Sequence, residues 1–286
     1  CHMVGAHGLE LTTFPENDFM PTAADVLPFL EEITLLALCS PLNPTGTMFS
    51  RKDLVEICEL VLAENKRRGP NEKPLYILFD QVYWQITFGD KEHYTPVGLI
   101  PELKEYTIII DGISKSYAST GVRVGWALGP EKIVAKIRAI MGHIGAWAPR
   151  AEQRATAKYL QEAEHVHEYM VEFKDKLLRS LNGIYNFFID LKSQGYSVDA
   201  IEPMGAIYLT AKIDVSGKRT PEGDILITNK DISRYFLHEA GVGIVPFSAF
   251  GAREDQNWFR LSVGGVSEEN ILKAMPKIKL ALDKLS

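Results

Sequence analysis

The sequence has few cysteines, no long hydrophobic run and no excess of positive charge. Its three cysteines form no Cys-x-x-Cys pair and cannot all pair with one another, which favours a reducing compartment. No stretch approaches the roughly 18 apolar residues of a membrane-spanning helix. The 31 basic and 37 acidic residues are mixed along the chain and give a net charge of −6, which argues against a nucleic-acid-binding surface. We therefore expect a soluble, cytoplasmic protein.

The sequence also lacks the local patterns of several common ligand sites. Gly264 and Gly265 do not stand between a strand and a helix as a dinucleotide-binding fingerprint requires, and no Walker sequence is present. His165 and His167 are two residues apart in a helical pattern, so they point in different directions and make a poor pair of metal ligands. We expect no metal site.

Three short apolar runs, at residues 33–39, 75–79 and 107–110, are what the sequence does contain. Each is too short for a helix and too uniformly apolar for a half-exposed strand, which is typical of buried strands in a parallel sheet. Between the first two runs, Ser50 and Asp53 form a helix-start signal, and an apolar periodicity follows until Gly69. This order of strand, helix and strand predicts a βαβ unit.

The remainder of the chain predicts a second, smaller domain. In order, the periodicity predicts a helix after Pro130, a long helix over residues 151–181, short strands near 205–209 and 243–245, and a final helix after Ser267. Because short strand-like pieces begin after Gly183, we expect a large domain over residues 1–182 and a small domain over residues 183–286.

Polar side chains follow each of the three apolar runs. Asn43 comes after the first run, Asp80 and Tyr83 after the second, and Lys115 after the third. Ligands of open parallel sheets bind outside the carboxyl ends of the strands. The sequence therefore predicts that these four residues serve one site.

Four segments in a fixed order carry a family resemblance. They are Asn-Pro-Thr-Gly at 43–46, Asp-Gln-Val-Tyr at 80–83, Ser114-Lys115 with Arg123 after seven further residues, and Phe-Arg-Leu-Ser at 259–262. The chain resembles the class I/II, fold-type I aminotransferases that use pyridoxal 5'-phosphate, and is nearest to the aspartate aminotransferase branch. The resemblance implies an α/β fold, with a mostly parallel sheet in the large domain and a smaller C-terminal α+β domain.

The resemblance implies roles for the residues that would meet the cofactor ring. Lys115 would hold the cofactor as a Schiff base and then move the proton during the reaction. Asp80 would keep the pyridine nitrogen protonated, and Tyr83 and Asn43 would hydrogen-bond the phenolic oxygen.

The resemblance also implies roles for residues that would bind anionic groups. Arg123 would bind the cofactor phosphate, and Ser114 is a further candidate for it. Many relatives carry a hydroxyl residue three positions before the lysine, where this chain has Gly112. Arg260 would receive the substrate α-carboxylate, for which a planar bidentate donor is suited, with Asn43 beside it.

By the same resemblance, the reaction transfers an amino group between an amino acid and a 2-oxo acid, and the working unit is a homodimer. Aspartate or glutamate with 2-oxoglutarate is the expected substrate class, although only Arg150 is a candidate for binding a side-chain carboxylate. Residues 3–6 and 9–11 resemble the end of a helix and then a strand. We therefore expect that the first third of the family's domain is missing and that this segment alone binds cofactor weakly.

Two alternatives remain open from the sequence. The same scaffold supports β-lyase or aminocyclopropane-carboxylate synthase chemistry. Some transcription regulators also carry an aminotransferase-like effector domain behind a DNA-binding domain, and upstream sequence would distinguish that case.

Overall fold

The computed structural model describes residues 2–286 and divides them into two units. Unit 1 comprises residues 2–40, Met48–Val82 and Glu92–Lys158, and unit 2 comprises Pro41–Thr47, Tyr83–Lys91 and Tyr159–Ser286. Two short loops that follow strands of unit 1 therefore belong to unit 2, together with the C-terminal part of the chain.

Unit 1 is built on a sheet in the order β1-β2-β3-β4. Its strands are β1 Leu35–Cys39, β2 Tyr76–Asp80, β3 Thr107–Gly112 and β4 Gly125–Leu128. The helices of this part of the chain are α1 Ala23–Val26, α2 Arg51–Arg68, α3 Pro96–Leu99, α4 Ile113–Ser116, α5 Glu131–Ile144 and α6 Arg150–Tyr159. β1, β2 and β3 are parallel, and β4 is antiparallel to β3. The three predicted strands and the α/β class are confirmed.

Helix α2 completes the predicted βαβ unit. The Ser50 hydroxyl accepts a hydrogen bond from the Asp53 N–H at 3.1 Å, which caps the start of the helix. Leu54, Ile57 and Val61 are fully buried at helical spacing, so one face of the helix contributes to the core. The helix ends before Gly69, which adopts a positive φ of 62°.

Unit 2 contains a second sheet, in the order β5-β6-β8-β7, in which all neighbours are antiparallel. Its strands are β5 Val198–Ala200, β6 Tyr208–Ile213, β7 Val245–Pro246 and β8 Trp258–Ser262. Its helices are α7 Ala163–Ser193, α8 Asn229–Ala240 and α9 Glu268–Asp283. The register of β6 and β8 places Thr210 opposite Arg260, which matters for the candidate site. This arrangement of helices and an antiparallel sheet agrees with the predicted α+β character.

The predicted long helix over residues 151–181 begins where predicted, at the start of α6, but it is divided into two helices and its second part ends later, at Ser193. The structure has a break at residues 160–162, between α6 and α7, that contains neither glycine nor proline, so periodicity alone gave no signal there. Helix α7 then continues through Gly183 because Ile184, Phe188 and Leu191 extend its buried face. Their burial outweighs the roughly 1 kcal/mol that a glycine costs inside a helix.

Residues 6–14 have no regular structure where a strand was expected at 9–11. The unit boundaries differ from the predicted domains 1–182 and 183–286, since the whole of α7 belongs to unit 2. That division into domains stays a prediction.

A buried guanidinium joins the C-terminal end of α2 to the segment before β1. Arg68 is 6% exposed, and its Nε donates to Glu64 Oε1 at 2.7 Å. Its Nη2 donates to the carbonyl oxygens of Leu30 and Ile33 at 2.6 and 2.9 Å, and its Nη1 donates to that of Lys73 at 3.0 Å. One side chain therefore satisfies backbone acceptors from two separate segments.

The Glu64 carboxylate completes this network. Hydrogen bonds from Arg67 and Arg68 lower the pKa of Glu64 to about 2, although burial acts in the opposite direction. The carboxylate is therefore charged at neutral pH, and the buried Arg68 guanidinium has an anionic partner.

We expect Arg68→Met to destabilise the protein by about 3 kcal/mol, because it leaves buried carbonyl oxygens and Glu64 without their shared donor. The measurement is urea unfolding monitored by circular dichroism. Arg67→Met is the matched control, since Arg67 is half-exposed and also binds Glu64. Equal losses of stability in the two variants would contradict the assignment of Arg68 as the structural residue.

Candidate active site

The carboxyl ends of β2 and β3 carry Asp80 and Lys115. Because the two strands are adjacent and parallel, with Asp80 paired to Ile110, their ends lie at the same edge of the sheet of unit 1. Asp80 is the last residue of β2, and its Oδ1 accepts the Val82 N–H at 3.0 Å. Lys115 lies in α4, directly after β3, and is half-buried. The strand order therefore places these two of the four predicted residues at one edge of the sheet of unit 1.

The amine of Lys115 makes no hydrogen bond or ion pair with any residue from 2 to 286. A half-buried lysine without a structural partner keeps its nitrogen available for a ligand. Asp80 likewise has one carboxylate oxygen, Oδ2, that accepts no bond within the described chain. Asp80 Oδ2 can therefore accept a hydrogen bond from a ligand, and the Lys115 amine can react with an electrophilic carbon of that ligand.

The close approach of β4 explains why position 112 is a glycine and carries no hydroxyl side chain. A Cβ at position 112 would lie 2.9 Å from the Val124 carbonyl oxygen and 3.0 Å from the Gly125 Cα. A hydroxyl side chain three residues before the lysine therefore does not fit here. Of the two nearest serines, Ser116 is buried and donates to the Val82 carbonyl at 3.0 Å. Ser114 is half-buried, and its hydroxyl has no partner among residues 2–286, so it remains available.

Arg123 stands just before β4, on the surface of unit 1. It adopts a left-handed conformation with φ of 61°, which is uncommon for a residue with a side chain. Its Nη1 donates to the Thr120 carbonyl at 2.7 Å, which holds the guanidinium near its own turn. The other N–H donors of this guanidinium have no partner in the part of the chain that the structure describes, so they can bind an anion.

In unit 2, the Asn-Pro-Thr-Gly segment is held against the backbone before and within β6. The Gly205 N–H donates to the Gly46 carbonyl at 2.9 Å, and the Thr210 hydroxyl donates to the Thr45 carbonyl at 2.8 Å. Gly46 has a φ of 74°, and a Cβ there would overlap the Tyr208 carbonyl oxygen. Thr45 and Gly46 therefore have structural roles. They hold in place the segment that carries Asn43.

Arg260 is fixed from three sides. Its Nη1 donates to Asn43 Oδ1 at 2.9 Å. The rings of Tyr208 and Phe250 lie 4.7 and 4.8 Å from its Cζ, as in cation–π contacts. Its Nε is buried and has no hydrogen-bond acceptor among the described residues. An immobilised guanidinium with an unsatisfied buried N–H can accept a planar anion such as a carboxylate as its partner.

Tyr83 lies beside this arginine site, within unit 2. Its side chain is buried, and its hydroxyl oxygen is 2.7 Å from the hydroxyl oxygen of Tyr208. The two rings meet edge to face with centroids 5.6 Å apart. Tyr83 therefore contacts Tyr208, which in turn contacts Arg260.

The predicted residues thus fall into two sets. Unit 1 carries Asp80, Ser114, Lys115 and Arg123, and unit 2 carries Asn43, Tyr83 and Arg260. The sequence prediction missed Tyr208 and Phe250, because nothing local distinguishes them from ordinary core aromatics. Arg150 is exposed at the start of α6, and its suggested role stays a prediction.

Neither a metal-binding cluster nor a membrane-spanning helix occurs among residues 2–286. No group of three or more His, Cys, Asp or Glu side chains is placed to hold a metal ion. No helix in that range is long and apolar enough to cross a lipid bilayer. Cys39 and Cys58 are not joined in a disulfide, and burial raises the pKa of the Cys58 thiol to about 12. Cys1 lies outside the described residues.

The family described as "Aminotransferase class I and II" matches residues 2–278. The chain is 30% identical over 254 residues to the aspartate aminotransferase of Rhizobium meliloti (strain 1021). The matched segment covers 87% of this chain and 56% of that relative. It is 29% identical over 273 residues to a probable aspartate/prephenate aminotransferase of Rickettsia typhi, and this match covers 94% of this chain and 63% of that relative. The chain therefore spans about 56–63% of the length of these curated relatives.

Solved structures give the same result for the fold. The aspartate aminotransferase of Rhizobium meliloti superposes with a TM-score of 0.82 at 28% identity, covering 96% of this chain and 64% of that one. The aromatic aminotransferase of Pyrococcus horikoshii superposes with a TM-score of 0.81 at 25% identity, and the superposition covers 96% of this chain and 66% of that one. The chain belongs to the class I and II aminotransferase family, and the predicted family, its fold and its cofactor, pyridoxal 5'-phosphate, are confirmed.

We expect Gly46→Ala to destabilise the protein by about 3 kcal/mol, because the new methyl group adds overlap with the Tyr208 carbonyl to the strain of positive φ. Gly217→Ala is the matched control: Gly217 has a φ of 83° but open space around its Cα, so about 1 kcal/mol is expected. Chemical denaturation of both variants measures the difference. If Gly46→Ala were no worse than the control, the close contact would not be a constraint.

Proposed function

We propose that the protein transfers an amino group between an amino acid and a 2-oxo acid with the help of pyridoxal 5'-phosphate. The observation that carries this proposal is Arg260, whose guanidinium is held by Asn43 and two aromatic rings while its buried Nε has no acceptor. The α-carboxylate common to amino acids and 2-oxo acids supplies the planar acceptor that this arginine lacks.

Lys115 is the proposed covalent attachment point of the cofactor, as a Schiff base. When bound, the cofactor supplies an electron sink that stabilises negative charge at the substrate Cα. Once the substrate amine has displaced it, Lys115 serves as the base that holds and moves the Cα proton, and no side chain of the described residues occupies its amine. Asp80 holds the pyridine nitrogen in its protonated form through the oxygen that is not bonded to Val82.

The remaining residues orient the cofactor. Tyr83 and Asn43 hydrogen-bond its phenolic oxygen, and Arg123 binds its phosphate. Ser114 is the hydroxyl that fits a phosphate contact, because position 112 cannot carry a side chain. These roles are supported by the free donors of Arg123 and by the unpartnered hydroxyl of Ser114 within the described chain.

Aspartate or glutamate is the proposed amino donor, with 2-oxoglutarate as acceptor. The names of the similar proteins support this class, since they are aspartate and probable aspartate/prephenate aminotransferases. The amino donor leaves as its 2-oxo acid, and the acceptor leaves as an amino acid, so nitrogen is conserved. A homodimer in the cytoplasm is the proposed working form, on the resemblance to the family alone.

The test is to incubate the complete gene product with pyridoxal phosphate, L-aspartate and 2-oxoglutarate, and to quantify the products. We expect oxaloacetate and glutamate in equal amounts. Arg260→Lys removes the bidentate fork, so we expect kcat/KM to fall about 10- to 100-fold, chiefly through KM. Pyruvate and ammonia formed from an amino acid with a leaving group on its Cβ, with no oxaloacetate or glutamate formed from aspartate and 2-oxoglutarate, would instead identify a β-lyase.

Arg253→Lys is the matched control for this substitution. Arg253 is an exposed arginine of unit 2 whose guanidinium pairs with Asp255. We expect its kinetic constants to equal those of the unsubstituted protein. If Arg260→Lys behaved in the same way, Arg260 would not be the carboxylate receptor.

A further inference from the structure

Tyr208 contacts two of the residues to which the proposed function assigns a role. Its hydroxyl oxygen lies 2.7 Å from the Tyr83 hydroxyl oxygen, and its ring centroid lies 4.7 Å from the Arg260 Cζ. The side chain is 6% exposed, so both contacts are shielded from water. A single side chain therefore meets the proposed phenol-binding tyrosine and the proposed carboxylate-binding arginine.

The position of Tyr208 is fixed by its backbone. Tyr208 pairs with Ser262 on β8, and its carbonyl oxygen lies against Gly46. The ring consequently projects from a rigid strand rather than from a loop. A ring held in this way limits the orientations open to a guanidinium stacked on it.

The hydrogen bond between the two tyrosines has a direction that the proposed function determines. A phenol has one proton to donate, and it can accept a further hydrogen bond at its oxygen. If Tyr83 donated to Tyr208, it would have no proton left for the phenolic oxygen of a cofactor. Tyr83 can donate to that oxygen only when Tyr208 donates to Tyr83.

We propose that Tyr208 is a positioning residue that donates a hydrogen bond to Tyr83 and holds the guanidinium of Arg260 in its carboxylate-binding orientation. This inference rests on the proposed function. Hydrogen bonds in series strengthen one another, so Tyr208 makes Tyr83 a better donor. The ring and the hydroxyl of Tyr208 therefore have separable effects, which two substitutions can distinguish.

Tyr208→Phe removes the hydroxyl and keeps the ring. The readout is the visible absorbance of the cofactor bound to the complete protein, titrated with pH. A weaker donor at the phenolic oxygen stabilises the deprotonated cofactor less, so we expect the midpoint of the titration to rise by about half a pH unit. KM for the amino donor should stay within about twofold, because the ring still stacks on Arg260.

Tyr208→Leu removes both the hydroxyl and the ring. We expect the same rise in the absorbance midpoint, together with an increase of about tenfold in KM for the amino donor. The step in KM between the phenylalanine and leucine variants isolates the contribution of the ring. Because the phenylalanine variant keeps the ring, its titration tests the hydroxyl even if the leucine variant folds poorly.

Tyr235→Phe is the matched control. Tyr235 is also 6% exposed and belongs to unit 2, but its hydroxyl donates to the Ala281 carbonyl at 2.7 Å. A general loss of stability would appear in this variant as well, whereas the absorbance midpoint should not move.

The outcomes separate this inference from the proposed function. An unsubstituted protein that transfers amino groups, with an absorbance midpoint unchanged by Tyr208→Phe relative to Tyr235→Phe, would overturn the role of Tyr208 alone. An unsubstituted protein that neither binds the cofactor nor transfers amino groups would overturn both. A midpoint shift in Tyr208→Phe but not in Tyr235→Phe supports the positioning role.

Discussion

The close approach of Gly46 to the backbone of Tyr208 is the contact on which the arginine site of unit 2 depends. It is possible only without a side chain at position 46, and it is reinforced by the Gly205 N–H bond to the Gly46 carbonyl. The same contact holds the segment that bears Asn43 and the strand that bears Tyr208. Since Asn43 and Tyr208 both contact Arg260, one glycine determines how that guanidinium is surrounded.

A similar backbone constraint shapes unit 1. Gly112 lies so close to Gly125 that neither a serine nor a threonine fits three residues before Lys115. In the proposed function, Ser114 supplies the phosphate contact that a hydroxyl at position 112 would otherwise make. In both units, a tight backbone contact decides which side chains can reach a ligand.

Local patterns predicted a large part of this structure. The strands β1 to β3 and helix α2 were predictable because apolar runs, caps and periodicity are short-range signals. The break between α6 and α7 was not, since it contains no glycine or proline, and Gly183 was wrongly taken as an end because burial of Ile184 and Phe188 outweighs its propensity. The aromatic partners of Arg260 were missed because their meeting depends on tertiary contacts across distant positions.

The central claim is that Lys115 binds pyridoxal phosphate covalently. The most direct measurement is borohydride reduction of the complete gene product in the presence of the cofactor, followed by mass mapping of its peptides. Our account predicts one reduced adduct, on the peptide that contains Lys115, and none in Lys115→Ala. Absence of an adduct, or adducts scattered over exposed lysines, would contradict it.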